Sequence, residues 1–261
     1  MDKLFLIGGT DSIGVPYTKD NKTNTGFFEQ IENFLSNRFE VTTFNFFHMS
    51  TYNTNSFILE CLKKNYSLAE IKVQQNQMLR KCKYSGVYPY LELPKNFLNF
   101  YKIQEQDYTI KIKEQLINNK NVIFLYSAGV NDFLKYNKSS LFKMFSPRNI
   151  KNNLKELDTI LENCFQDIYK NISYIHKLNK DCKIYLVGLF YPTNLKYIRK
   201  RLKFPIDSFN DKLKNMCKNY KNVYFIENSN LSKGDFCNID FHPNSKGHKK
   251  IYENFLKAYE K

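Results

Sequence analysis

Three polar clusters in this chain hold residues that can move an acyl group together. The first reads Gly8-Gly9-Thr10-Asp11-Ser12-Ile13-Gly14. The second reads Ser127-Ala128-Gly129-Val130-Asn131-Asp132. The third reads Asp240-Phe241-His242-Pro243-Asn244. A serine hydroxyl becomes a competent nucleophile when a base takes its proton and donors hold the oxyanion. Histidine suits the base because its ordinary pKa lies near neutrality. A carboxylate beside that histidine fixes its tautomer and stabilises the imidazolium. Ser12, His242 and Asp240 can fill these three roles. The Ser12 N–H and the Asn131 side-chain amide are candidate oxyanion donors. Gly129 leaves room for substrate beside Asn131, and Asp11 lies next to the nucleophile.

Each piece also has an ordinary structural reading. Asp11 and Ser12 could cap the helix that follows. Gly-Val-Asn-Asp could be a turn leading into a cap, and His242 could be a structural loop histidine. A phosphate-binding turn at Gly8-Gly9 is disfavoured, since neither GxGxxG nor GxxxxGK[ST] occurs there. The GxSxG nucleophile turn is absent too, because position 10 is Thr. Of the other histidines, His48 reads as a packed or capping residue. His248 reads as structural or surface, and His176 carries no functional signal. The ordered set, each cluster after an apparent strand, outweighs the separate ordinary readings.

The elements that must position these clusters alternate between strand and helix. Lys3–Ile7 is a short apolar run ending at two glycines, which suits a buried strand. Glu40–Phe47, Asn121–Tyr126, Cys182–Leu189 and Asn222–Ile226 read as four more. Phe27, Phe28, Ile31, Phe34 and Leu35 recur at helical spacing. Leu154, Leu157, Leu161, Cys164, Ile168, Ile172 and Ile175 mark a long amphipathic helix. A helix is expected near Ile206–Cys217, and another from about Ser245 with Ile251, Phe255 and Tyr259 facing inward. Such alternation implies an α/β fold with a parallel sheet and helices on both faces. Sheets of this kind place their sites beyond the carboxyl ends of the strands. All three polar clusters would then meet at one edge. Residues 55–118 exceed what one crossover needs, and Lys83–Pro94 is rich in aromatics and turn residues. This stretch is expected to be a helical insertion, either a lid or a packed addition.

The length of 261 residues suits one domain, 1–261, and no Pro/Gly/Ser-rich linker divides it. The formal net charge is +15. Its lysines are scattered, which favours a solvated surface over a specific nucleic-acid interface. The densest cluster is Lys196, Arg199, Lys200, Arg201 and Lys203. No CxxC pair links the six cysteines, so a zinc site is not expected. Free, buried cysteines favour a reducing compartment. The N-terminal apolar run is too short for a signal peptide. No stretch approaches the roughly 18 apolar residues of a membrane span. A cytoplasmic location is the expectation.

Taken together, the clusters resemble the blocks of the SGNH, or GDSL, hydrolase family. Thr10-Asp11-Ser12-Ile13 resembles its G-D-S-[LI] block. Gly129-Val130-Asn131-Asp132 matches G-x-N-D. Asp240-Phe241-His242-Pro243 resembles D-x-x-H-P. The runs Gly188-Leu189-Phe190-Tyr191-Pro192 and HPNSKGH are also similar to bacterial acylhydrolases of this family. The resemblance extends from residue 3 to about residue 258. It implies a three-layer α/β/α, flavodoxin-like fold with a five-stranded parallel sheet. It also implies ester hydrolysis through a Ser12 acyl-enzyme, on a small-molecule or glycan acyl ester, with no metal or organic cofactor.

Three departures stand against the pattern. Thr10 replaces a glycine. The acid falls two residues before His242 rather than three, so Asp240 reaches the ring only if the loop is re-bent. Asp235, or a Ser–His dyad, is the alternative. The second block lacks its glycine, and register against the family places Ser50 there as the remaining oxyanion donor, with Gly86 as an outside candidate. Acyl transfer or deacetylation on a carbohydrate would use the same residues. A catalytically inactive polyanion-binding module is the reading from another class.

Overall fold

The computed structural model describes residues 2–8, 26–45, 59, 62–63, 112–127, 150–191, 196–236 and 243–260. Five strands form one sheet: β1 (Asp2–Gly8), β2 (Phe39–Asn45), β3 (Val122–Ser127), β4 (Lys183–Val187) and β5 (Val223–Ile226). Their order is β2-β1-β3-β4-β5, and every neighbouring pair is parallel. Parallel strands are covered on both faces, so they read as unbroken apolar runs rather than alternations. All six residues of β3 and Leu4–Ile7 of β1 are buried accordingly.

Among the described residues, five helices accompany the sheet: α1 (Phe27–Leu35), α2 (Ile112–Asn118), α3 (Ile150–Leu178), α4 (Lys196–Cys217) and α5 (Ser245–Tyr259). Helix α1 packs on α5, while α3 packs on α2 and α4. Two strand residues show that these groups cover opposite faces. Leu125 is paired with Tyr185 and Tyr126 with Leu186, so the Tyr185 and Tyr126 rings leave opposite sides of the sheet. Tyr185 meets Phe255 and Tyr259 of α5. The Tyr126 hydroxyl accepts from Asn171 of α3 at 2.8 Å. The result is the expected three-layer α/β/α architecture.

Strand positions agree with the sequence reading to within one or two residues at the ends described. One helix does not. The sequence places it near Ile206–Cys217, but α4 begins ten residues earlier, at Lys196. Pro205 sits inside the helix, although prolines favour a helix's first turn. Interior proline removes one backbone hydrogen bond and usually breaks a helix. Here the buried stripe continues through it: Leu202, Ile206, Phe209, Leu213 and Met216 all face the core. Packing of that stripe outweighs the local preference. Most of the expected insertion, residues 55–118, lies outside the described residues. Of it, Leu62, Ile112 and Leu116 are buried in the core.

Candidate active site

The strand order defines the place of the site. Chain connections leave β1 toward β2 and then return past it to β3. The crevice between β1 and β3 is therefore the topological switch point of the sheet, where α/β folds bind ligands. Gly8, the last residue of β1, is in register with Ser127, the last of β3. Ser12 stands four residues beyond Gly8, and Asn131 stands four residues beyond Ser127. Two of the three polar clusters thus spring from paired strand ends about 4.8 Å apart. On the other side Gly8 pairs with Asn45 of β2, and Ser50 stands five residues further on.

Described residues on either side close off the segment that holds the third cluster. Phe236 and Pro243 form an antiparallel bridge, closing the segment 237–242 that contains Asp240 and His242. Asn244 reinforces the pinch from one side chain. Its Oδ1 accepts from the amides of Lys246 and Gly247, capping α5. Its Nδ2 donates to the carbonyls of Gly234 and Phe236. The Asn244 N–H donates to the Asp235 carbonyl at 2.9 Å. Phe236 is further held by the Phe190 ring at 5.6 Å and by the Arg199 guanidinium at 5.6 Å. Arg199 also donates to the carbonyls of Tyr191 and Leu231. It fastens the loops after β4 and β5 to the first turn of α4.

The first and third clusters are tied through their flanking helices. Helix α1 follows the Ser12 segment, and α5 follows the His242 segment. The Phe27 N–H, at the start of α1, donates to Nδ1 of His248 in the first turns of α5 at 3.3 Å. The His248 ring is buried and lies 5.9 Å from the Phe27 ring. Its role is structural, one of the two roles the sequence offered. An accepting Nδ1 places a hydrogen of the neutral ring on Nε2.

Asp235, the alternative acid of the sequence reading, anchors a turn. Its carboxylate accepts from the Ser232 N–H at 2.6 Å, the Ser232 hydroxyl at 2.9 Å and Lys250 at 2.7 Å. With Ser232 it completes a capping box around the turn Lys233–Asp235. Burial raises the Asp235 pKa, but Lys250 and the two Ser232 donors outweigh it and hold the carboxyl below its ordinary range. A carboxylate so occupied anchors the turn before the His242 loop.

A second polar group lines the same edge and carried no sequence signal. Asn210 of α4 both accepts from Leu189 N–H at 2.9 Å and donates to Leu189 C=O at 2.7 Å. Asn228 donates to the Gly188 carbonyl and accepts from Asn254 of α5. Lone asparagines inside a Lys- and Asn-rich sequence are indistinguishable from surface ones until their backbone partners are known. Ser12, Asp11, Asn131, Gly129, Asp240, His242 and Ser50 themselves lie outside the described residues, as do Gly86 and His48. Among the described residues no cluster of His, Cys, Asp and Glu could hold a metal. No described helix is long and apolar enough to cross a membrane.

The sequence matches no protein-family model and no curated protein. The fold does have solved counterparts. A lipase from a goat rumen metagenome is 14% identical, with TM-score 0.56 over 99% of this chain and 97% of that one. Phospholipase A1 from Streptomyces albidoflavus is 8% identical, with TM-score 0.53 over 99% of this chain and 100% of that one. A catalytic mutant of an acetylxylan esterase from Geobacillus stearothermophilus is 15% identical, with TM-score 0.50 over 98% and 93%. The architecture that the SGNH resemblance implied is therefore the fold this chain shares with them.

Proposed function

We propose that this chain is a serine esterase of the SGNH type that hydrolyses carboxylic esters through a Ser12 acyl-enzyme. The observation that carries the reading is the pairing of Gly8 with Ser127 at the switch point. It sets the origins of the Ser12 and Asn131 segments side by side. The fold shared with a lipase, a phospholipase and an acetylxylan esterase supports the same chemistry.

In this reading Ser12 attacks the acyl carbonyl while His242 takes its proton, and Asp240 orients the imidazole. The Ser12 N–H, the Asn131 amide and the Ser50 N–H hold the oxyanion, each contributing about 3 kcal/mol to the transition state. His242 then protonates the leaving alcohol and later activates water for deacylation. Asp11 and Gly129 border the substrate. The engagement of Asp235 by Ser232 and Lys250 favours Asp240 over Asp235 as the acid. Residues 1–261 act as one domain, with 55–118 inserted into it. The chemistry asks for no cofactor.

The test is hydrolysis of p-nitrophenyl acetate and butyrate by the purified chain, with fluorophosphonate labelling mapped by mass spectrometry. Wild type turns over and is labelled at Ser12. Folded Ser12→Ala and His242→Ala lose turnover. Full activity in either variant, or labelling elsewhere, overturns the proposal.

A further inference from the structure

Phe204 is the most exposed large hydrophobic residue described, at 80% accessibility, and it sits in the most basic stretch of the chain. Residues 196–204 carry Lys196, Arg199, Lys200, Arg201 and Lys203 and no acid. All of them lie on α4. Positions 200, 203 and 204 share one helical face, and position 196 extends that stripe by a turn. Lys200 is exposed, and Lys203 is 67% exposed while reaching Asp207 at 2.7 Å. The opposite face of the same turns, Leu202, Ile206 and Phe209, is buried in the core. Among the described residues, this aromatic ring stands out beside cations on an otherwise anchored helix.

We propose that this face of α4 docks on an anionic lipid surface, with Phe204 entering the headgroup–acyl boundary and the cations meeting the lipid phosphates. Charge complementarity selects the partner: the patch is cationic and the whole chain carries +15. The ring decides between a bilayer and a soluble polyanion. Phosphate attraction alone needs only the cations, whereas an exposed Phe gains when it leaves water for the interface. The scaffold suits the task. Arg199 and Asn210 pin this half of α4 to the carboxyl edge of the sheet, so the docking face moves as one body with it. Helix α4 starts at that edge, and Phe204 lies only about 12 Å along its axis. Docking therefore holds the carboxyl ends of β1, β3 and β5 near the bilayer. The inference does not depend on the esterase reading, since lipid binding requires no turnover.

The experiment uses the full chain and extruded vesicles, either pure phosphatidylcholine or phosphatidylcholine with 30% phosphatidylglycerol added as a probe (about 0.15 M salt). Wild type co-sediments with the anionic vesicles only, and binding falls as salt rises. Lys200→Gln weakens partition about fivefold, the worth of one cation near a charged surface. Phe204→Ser weakens it about tenfold. The chain has no tryptophan, so Phe204→Trp supplies a single indole that can be excited selectively over the tyrosines. Its emission shifts to the blue on anionic vesicles. Circular dichroism of each variant should match wild type, because the altered side chains are exposed. No vesicle binding, unshifted emission from the Phe204→Trp variant when bound, or binding to heparin without binding to vesicles overturns the proposal.

Discussion

The Phe27 amide donates to Nδ1 of His248 at 3.3 Å, joining the first turns of α1 and α5 across 221 positions of sequence. Helix N-termini leave backbone N–H groups without intrahelical partners, and Gly26, the cap of α1, offers no side chain to take one. His248 supplies the acceptor from another element. Replacing it with Phe keeps a planar ring, slightly larger, but removes the acceptor. We expect His248→Phe to lose about 1 to 2 kcal/mol in denaturant unfolding. If the tie also sets the spacing of the Ser12 and His242 loops, kcat on nitrophenyl esters falls more than KM changes. A variant as stable as wild type would show that the tie carries no load.

Gly247 is the tightest point beneath the His242 loop. A Cβ there would meet the Asp235 carbonyl oxygen at 2.2 Å and the Pro243 Cβ at 2.9 Å. Both obstacles belong to the pinch that closes the loop, and neither is the end of a flexible side chain. Gly247→Ala is expected to cost about 3 kcal/mol, despite alanine's higher helix propensity. Thermal unfolding tests this directly. Gly234 is the control: it has open space around its missing Cβ, so Gly234→Ala should be near neutral.

The strands were readable because burial on both faces writes them as short apolar runs between turn residues. The three polar clusters were readable because each follows such a run. What the sequence concealed are features set by distant partners. Nothing local distinguishes His248 from a surface histidine in α5, and its bond from Phe27 appears only in the fold. Pro205 hid the first half of α4, because a proline argues for a helix start unless tertiary packing carries the helix through it. In the sequence alone Asp235 stands only as an alternative acid. Its hydrogen bonds to Ser232 and Lys250 show a carboxylate committed to the turn. Phe34 kept helical spacing yet is 45% exposed, resting edge-on against Tyr252 and Tyr259 at the rim of α5.

The Asp235 carboxyl gives a pH dependence with a defined sign. Its folded pKa is held below the ordinary value of 3.8. Its contribution to stability is therefore complete above that value and is lost as pH falls through the lowered folded value. Asp235→Asn keeps an acceptor for Ser232 but turns an NH2 group toward Lys250 or away from it. The variant should lose roughly 1 to 3 kcal/mol at pH 7. The gap between wild type and variant should be flat from about pH 5 to 8 and shrink below about pH 4. Urea titrations across that range measure it; a gap that widens in acid contradicts the assignment.

Cys182 and Cys217 carry free thiols and are buried, and Cys164 is buried too. Burial pushes the Cys182 and Cys217 thiols up to about 12, with a backbone contact at Cys217 opposing only weakly. Thiolate is the reactive form, so these sulfurs should stay unmodified by a maleimide in the native protein at pH 7.5. In denaturant they should label within minutes. Peptide mapping after brief exposure separates the two states residue by residue, and rapid native labelling of Cys182 would contradict its burial just before β4.

Asn131 provides the sharpest test of the site, because its proposed role predicts a kinetic signature that a turn residue lacks. An oxyanion donor acts on the transition state and little on bound ester. Removing one such donor costs about 10² to 10³ in kcat. Asn131→Ala should therefore lower kcat by about that factor with KM changed less than about threefold, while unfolding stability shifts by about 1 kcal/mol or less. If Asn131 merely shaped the turn after β3, stability and KM would move first and kcat would follow the folded fraction. The fluorophosphonate reagent separates the cases further. Loss of the donor slows labelling of Ser12 at constant thermal midpoint, whereas a distorted turn slows it only as the midpoint falls.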